Sequence, residues 1–485
     1  MSDFPDSLLY IDGVQRPAEN GRTYENIAPA TAKPVGRAAD GSQADMEEAI
    51  AAAHRAFHQS DWPTNVALRV AMLRKLQAEL RRLADIYRDR IAAETGATAG
   101  VIAGPGLYFP IEMMTWTIDL AERYEYRRDI GVTSLMGTPS RRLVFKEAAG
   151  VVGAITPWNM PVQINLAKLT AALGAGCTMV LKPAPDTPWT ATIIGEAAAN
   201  IGLPAGVLNI VTSADKATLG EQLVADPRVD VISFTGSTGV GRRIAEAAAP
   251  TLKRVFLELG GKSANIVLDD AKFPDALYGA AAVCYHAGQG CALPTRILLP
   301  RSRYEEGVQT LKAIYESIPF GDPSSPEQIL GPVISQSQFD RVSGYIELGV
   351  EEGARLVTGG VAEGLDGYYI KPTLFADVTN DMRIAQEEIF GPVLVAIPHD
   401  GDDDAVRIAN DSVYGLSGAV QSADPDRALA VARRIRTGGV NVNSANYFAA
   451  DAPFGGYKQS GLGREMGVEG FEEYLQTKTV ALEAA

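Results

Sequence analysis

The sequence predicts an α/β protein with two parallel-sheet domains and a small β extension, and three observations carry that reading. From residue 148, short and fully apolar strands alternate with helical stretches, the pattern of a parallel sheet covered on both faces. A second alternating region runs from about 259 to 445. Two strand-like segments, 126–147 and Tyr474–Val480, fall outside both alternations. With 485 residues, 46% of them hydrophobic, the chain can bury two or three domain cores.

In chain order, residues 8–37 read as short strands and turns, with Leu8-Leu9-Tyr10-Ile11 running into Asp12-Gly13, hence an edge hairpin. Two helices follow, the second long. Trp62-Pro63 is expected to open it, Leu73, Leu76, Leu80, Leu83 and Tyr87 recur as a packing stripe, and Gly96 closes it. A further helix is expected over about 105–125. The segment 126–147 then departs from the pattern through Arg127-Arg128-Asp129, a turn containing Gly and Pro, and the alternation Arg141-Leu143-Phe145. Together with Tyr474–Val480 it supplies two exposed strands, which invite pairing with another subunit, so a homodimer or homotetramer is expected.

The apolar strands of the first sheet are Val151–Ile155, Thr178–Leu181, Val207–Val211 and Asp230–Phe234, with helices from about 160 and about 188. Sheets of this kind bind ligands at the carboxyl ends of their strands. The expected division is 1–126 with 148–257 as one domain, 258–447 as the second, 127–147 with 470–485 as the β extension, and 448–469 as a returning segment.

Composition excludes several functions. A formal net charge of -15, from 59 acidic against 44 basic residues, argues against nucleic acid, whose phosphates need clustered Lys and Arg. No apolar run reaches membrane-spanning length, and Met1-Ser2-Asp3-Phe4-Pro5 lacks signal-peptide character, so a cytoplasmic location and no membrane partner are expected. Three cysteines, Cys177, Cys284 and Cys291, and four histidines show neither disulfide nor metal-site spacing, so no metal is expected.

The strand ends carry the reactive residue types. A helical run, Ala280–Tyr285, gives way to Gly288 and Gly290, placing Cys291 at a helix-to-loop break. A thiol with a pKa of about 8.5 is mostly protonated at neutral pH, so a nucleophilic cysteine is expected to have space and electropositive surroundings; on its own, Cys291 reads rather as one more small buried residue. Thr235-Gly236-Ser237-Thr238-Gly239-Val240-Gly241 leads from a strand into a helix, where free N–H groups can meet a phosphate, and read alone it is also simply a turn. Lys182, before Pro183-Ala184-Pro185, could reach a ribose or phosphate or lie on the surface. Glu258, at the end of Val255-Phe256-Leu257 and before Leu259-Gly260-Gly261-Lys262, is a carboxylate in apolar surroundings, which raises its pKa and suits a general base. Asn159, after Thr156-Pro157-Trp158, could donate to an oxyanion.

This set resembles the NAD(P)-dependent aldehyde dehydrogenase superfamily of the non-acylating, hydrolytic type, over almost the whole chain and in the family's order. The matching motifs are Pro157-Trp158-Asn159, Lys182-Pro183, Phe234–Thr238, Leu257–Lys262, Gly288-Gln289-Gly290-Cys291, Glu387–Val393, and Pro453–Lys458 with Ser460–Glu465. The resemblance implies an aldehyde dehydrogenase-like fold, with a variant Rossmann domain for the cofactor, a catalytic domain and an oligomerisation arm. It implies that Cys291 attacks the aldehyde, that Asn159 and the Cys291 N–H hold the oxyanion, and that a thiohemiacetal becomes a thioester hydrolysed with Glu258 as base. Lys168 and Glu465 match a proton path from that base. The implied cofactor cleft comprises Ile155, Thr156, Pro157, Trp158, Lys182, Pro185, Phe234, Gly236, Ser237, Val240, Gly241, Leu259 and Gly260, with Glu388 and Phe390 at the nicotinamide ribose and ring.

Relatives that prefer NAD often carry a glutamate where this chain has Pro185, and Asp186 is adjacent. No extra Arg or Lys follows Lys182, so NAD is favoured and NADP remains open. The implied substrate tunnel is lined by Met160, Ile164, Ala167, Tyr285, Phe448 and Phe454, with Gly290 and Ala292 beside the nucleophile. Ala167 stands where relatives for small aldehydes place a bulky aromatic, and Ser444–Asp451 holds no Arg or Lys, so an uncharged medium-to-large aldehyde, aromatic, terpenoid or aliphatic, is expected. The alternatives are a CoA-acylating or semialdehyde dehydrogenase, an inactive binding or structural relative, and a cysteine hydrolase. Cys284 and Cys177 are assigned to packing.

Overall fold

A computed structural model describes residues 4–484. Both predicted parallel sheets form, for the reason that predicts them: strands such as Val151–Ile155 and Thr178–Lys182 are apolar and buried on both faces. The first sheet has the strand order 461–462, 254–258, 231–235, 151–155, 178–182, 208–210, 9–11, 14–16, of which the five from 254–258 to 208–210 run parallel. The hairpin 9–11/14–16 closes one edge as expected, and the strand 208–210 is shorter than the apolar run around it. The second sheet has the order 355–361, 370–376, 393–399, 296–300, 264–267, 418–421, 441–442, antiparallel only at its first pair.

The long helix runs Val66–Thr95 and starts later than Trp62-Pro63 suggests. The Asp61 carbonyl accepts N–H bonds from Thr64 and Asn65, so a turn precedes the helix, and Asn65 caps it by accepting from Leu68 N–H. Trp62 is instead buried, donating from Nε1 to the Cys177 carbonyl at 3.0 Å. Gly96 ends the helix in a left-handed conformation, where a Cβ would lie 2.7 Å from Pro332. Leu73, Leu76, Leu80 and Leu83 pack with the helices Tyr108–Arg123, Pro161–Ala175 and Trp189–Asn200 in one core. The helix expected at about 105–125 begins at Tyr108, because Gly104 and Pro105 distort the turn before it.

The two strand-like segments pair with each other. Strands 127–135, 138–148 and 475–483 form one antiparallel sheet, with Leu475 opposite Ala148 and Glu483 opposite Ser140. Each segment therefore satisfies one edge of the other within a single chain. The extension begins at Leu475 rather than 470, because Phe471 and Tyr474 are buried in the core of the first sheet's helices. The returning segment contributes Gly461–Leu462 to the first sheet, antiparallel to the strand that carries Glu258. Among the described residues no helix is long and apolar enough to cross a membrane.

Candidate active site

The strand register gathers the predicted residues into one row. Lys182 lies opposite Ile155, Ile155 opposite Phe234, and Thr235 opposite Glu258, so the carboxyl ends of four strands face one cleft. After Thr235, Gly236 turns the chain where a Cβ would lie 2.5 Å from the Phe234 ring, and Ser237 caps the helix Thr238–Ala248. Gly239 opens onto free space, and Gly241 packs against Leu259. Lys182 is 3% exposed, and burial lowers its pKa while Asp215 and Asp186 partly oppose that. The Thr156 and Thr235 hydroxyls are buried without partners. A helix N-terminus, a buried cation and unpartnered hydroxyls at neighbouring strand ends fit a phosphate-bearing, ribose-containing cofactor.

Asp186 stands near Lys182 without forming an ion pair with it. It pairs with Lys216 at 3.6 Å, so a second lysine, invisible in the sequence near Lys182, approaches this end of the cleft. Trp158 meets Phe390 edge-on with ring centroids 5.4 Å apart. Glu388 accepts the Gly261 N–H at 2.8 Å, and at Gly260 a Cβ would strike its carboxylate. Burial lifts Glu388 to about 7, with Gly261 N–H, Arg341 and Lys262 acting against the rise. Arg341 and Gln338 hold this loop through the carbonyls of Ile389 and Phe390, at 3.3 and 2.7 Å.

The backbone before Cys291 does not continue as a helix. Tyr285 is extended, and His286, Ala287 and Gly288 follow with φ of 48°, 54° and 73°. Cys284 is thus separated from Cys291 by a non-helical stretch of backbone. Gly288 lies so close to the Gly391 carbonyl that any Cβ would collide with it. Gln289 is fully buried: its Oε1 accepts the Ile334 N–H at 2.8 Å, its Nε2 donates to the His286 carbonyl at 3.1 Å, and its own carbonyl accepts from Asn159 Nδ2 at 2.8 Å. One amide hydrogen of Asn159 is therefore used to brace the cysteine loop.

Cys291 is half-buried, and its thiol is held above its usual pKa by burial and then by the Glu388 and Glu258 carboxylates. Glu258 is 2% exposed with neither oxygen partnered, and its pKa stands well above the ordinary value because of burial and then Glu465, against Lys168 and Arg464. Lys168 Nζ lies 3.1 Å from Glu465 Oε1, an ion contact rather than an aligned hydrogen bond. Glu465 exchanges both backbone bonds with Phe454, at 2.7 and 2.6 Å. Tyr447, which sequence reasoning missed, stacks on Phe454 at 6.4 Å and is pushed up to about 12, chiefly by burial, with Cys291 and Glu258 adding to the rise. Its position beside Phe448 in the returning segment was the available signal.

A shallow pocket, open to solvent, lies between the helices 108–123 and 161–175 and the segment 450–471. Met113, Met114, Thr117, Gln163, Ala167 and Met466 help to line it. Of the predicted tunnel residues, Ala167 alone borders it. Phe448 and Phe454 form an edge-on pair at 5.6 Å, Met160 and Tyr285 pack against the first core, Ile164 is buried, and Gly290 and Ala292 flank Cys291.

Residues 16–480 match the model of the aldehyde dehydrogenase family. The chain belongs to this family. Among relatives of this aldehyde dehydrogenase, a 3-succinoylsemialdehyde-pyridine dehydrogenase from a Pseudomonas species is 42% identical over 481 residues, spanning 97% of this chain and 98% of the relative. The crystal structure of a Mycobacterium tuberculosis aldehyde dehydrogenase complexed with NAD+ superposes with a TM-score of 0.95 at 42% identity, over 99% of both chains. Aldehyde dehydrogenase C from Pseudomonas syringae, a cysteine-to-alanine variant complexed with NAD+ and octanal, gives 0.90 at 39% identity, over 98% of this chain and 96% of that one. The fold class predicted from the sequence is the fold of these enzymes.

Proposed function

We propose that this aldehyde dehydrogenase oxidises an uncharged medium-to-large aldehyde to its carboxylic acid with NAD+, through a covalent intermediate on Cys291. The observation that carries the reading is the unpartnered, fully buried carboxyl of Glu258 facing the same site as the Cys291 thiol. NAD+ suits the cleft described above, and the relatives crystallised with it share this fold; when bound it supplies the hydride acceptor. Lys182, Ser237 and the Gly236 turn would hold its ribose and phosphates, and Trp158, Glu388 and Phe390 its nicotinamide end.

The chain's own residues do the rest. Because burial and the neighbouring carboxylates disfavour the thiolate, the Cys291 proton must leave as sulfur attacks the carbonyl, and Glu258 is the acceptor at hand. The second amide hydrogen of Asn159 and the Cys291 N–H stabilise the oxyanion, a contribution of about 10²–10³ in rate for one such donor. Once the thiohemiacetal has been oxidised to a thioester, Glu258 takes a proton from water, which attacks and releases the acid. Glu465, paired with the Lys168 ammonium, accepts that proton onward.

The pocket beside Ala167 supports a substrate with an extended apolar tail. Octanal in the Pseudomonas syringae relative agrees with that, and the name of the 42% identical relative joins a semialdehyde to a pyridine, which keeps an aromatic semialdehyde as the second reading. We also infer self-association through the exposed three-stranded extension. The test offers NAD+ with acetaldehyde, octanal, decanal, benzaldehyde and succinate semialdehyde, beside Cys291→Ala. Reduced cofactor formed fastest with the longer or aromatic aldehydes, and absent in the variant, is expected; highest efficiency on acetaldehyde or succinate semialdehyde overturns the substrate reading.

A further inference from the structure

We propose that the hydroxyls of Ser233 and Tyr474 are positioning residues that hold the Lys168 ammonium beside Glu465 and so set how readily Glu258 releases its proton. The inference rests on Glu258 being the base of the proposed reaction. Lys168 is completely buried on the helix Pro161–Ala175, and an ammonium has three donors to satisfy. It meets three partners: Glu465 Oε1 at 3.1 Å, Ser233 Oγ at 3.1 Å, and the face of Phe256 at 4.7 Å from the ring centre.

Ser233 sits in the middle of the strand Val231–Thr235, fully buried, where its neighbours Ile232 and Phe234 are apolar. A hydroxyl there needs a partner, and it has two, since Ser233 Oγ also lies 3.0 Å from Tyr474 Oη. With one Ser233 lone pair taken by Lys168, the Ser233 hydrogen is free to donate to Tyr474. Tyr474 is held in turn by its carbonyl, which accepts from Ala149 N–H at 2.9 Å and from the Cys177 thiol at 3.3 Å. The chain of contacts thus runs from the root of the β extension to the carboxylates of the site.

The charged and titratable groups around it come from several elements. Glu258 faces Glu465, Lys168, Arg464, Cys291 and Tyr447. Tyr474 faces Glu465, Cys177 and Glu473. Of these, Lys168 and Arg464 favour the ionised form of Glu258, and Glu465 opposes it. Removing the Ser233 oxygen leaves the buried ammonium short of a partner, weakens the positive charge, and makes Glu258 hold its proton to higher pH.

The test measures the release of octanoate in single turnovers with NAD+ and octanal across pH, for the native protein, Ser233→Ala, Ser233→Thr and Tyr474→Phe. The expected result is an acidic limb moved upward by about half to one pH unit in Ser233→Ala, which is about 3–10-fold slower release on the limb, with the amplitude of the burst of reduced cofactor unchanged. Tyr474→Phe, which changes no volume to speak of, moves it less and in the same sense, and Ser233→Thr restores it. An unmoved limb, or an equal loss of rate at every pH, overturns the inference while leaving the reaction standing. A native protein that forms no reduced cofactor, or hydrolysis that survives Glu258→Gln, overturns the proposed reaction and this inference with it.

Discussion

Glu258 and Cys291 each ionise less readily here than in water, and the consequence is a pH dependence with a definite sign. A base whose pKa is raised works only above that raised value, so turnover limited by thioester hydrolysis falls as pH drops through a range higher than that of an ordinary carboxylate. In Glu258→Gln the burst of reduced cofactor should slow, because the Cys291 thiol loses its proton acceptor, and steady-state turnover should fall by about 10²–10⁴, measured by stopped flow against product release. A second prediction concerns Lys216, which Asp186 now neutralises. In Asp186→Ser the freed lysine should raise kcat/KM for NADP+ by about tenfold, the worth of one favourable charge contact, with little change for NAD+. Lys216 shows why part of the site was illegible in the sequence. Lys182, Asn159 and Glu258 announce themselves as polar residues closing apolar runs, whereas Lys216 arrives through folding, from a loop beyond the strand 208–210.

At the scale of elements, the sheets were legible because an apolar strand between two helices has few other places to go. The loop before Cys291 was not, since His286 and Ala287 carry no mark of the left-handed conformation they adopt; it is imposed by the Gly391 carbonyl and by Gln289. The expected helix opening at Trp62-Pro63 failed for a similar reason, a turn chosen by Asp61 rather than by the stripe of leucines. Glu94 ties three elements together: it accepts from Trp189 and Thr190 N–H at the start of the helix 189–200 and from Asn26 Nδ2 on the strand 23–28. Burial lifts its pKa to about 8. A carboxyl whose folded pKa exceeds its unfolded one binds more protons when folded, so its contribution to stability is present below about 4.5 and is lost as pH rises toward about 8. Glu94→Gln should cost about 1–3 kcal/mol at low pH, through one backbone N–H left without an acceptor, and should flatten the decline of Tm between these pH values. A decline as steep as the native protein's would show that Glu94 does not titrate there.

For the whole molecule, the two strand-like segments were expected to seek a partner subunit, and they found each other first. What remains exposed are the two outer strands, 475–483 and 127–135, the second including Ile130 and Val132 next to a turn where Met136 is 97% exposed. Light scattering should return a mass that is a multiple of 51.5 kDa and should fall to one chain's mass when Ile130 and Val132 are both changed to Lys; a native monomer overturns self-association. The strand Gly461–Leu462 has a consequence of another kind. It completes the edge of the sheet beside Glu258, yet it lies late in the chain, so during synthesis most of the first domain must wait for it on the ribosome with that edge open. The edge beside the reactive base is thus closed only after the whole second sheet has been made, which ties the completion of one domain to the synthesis of the other.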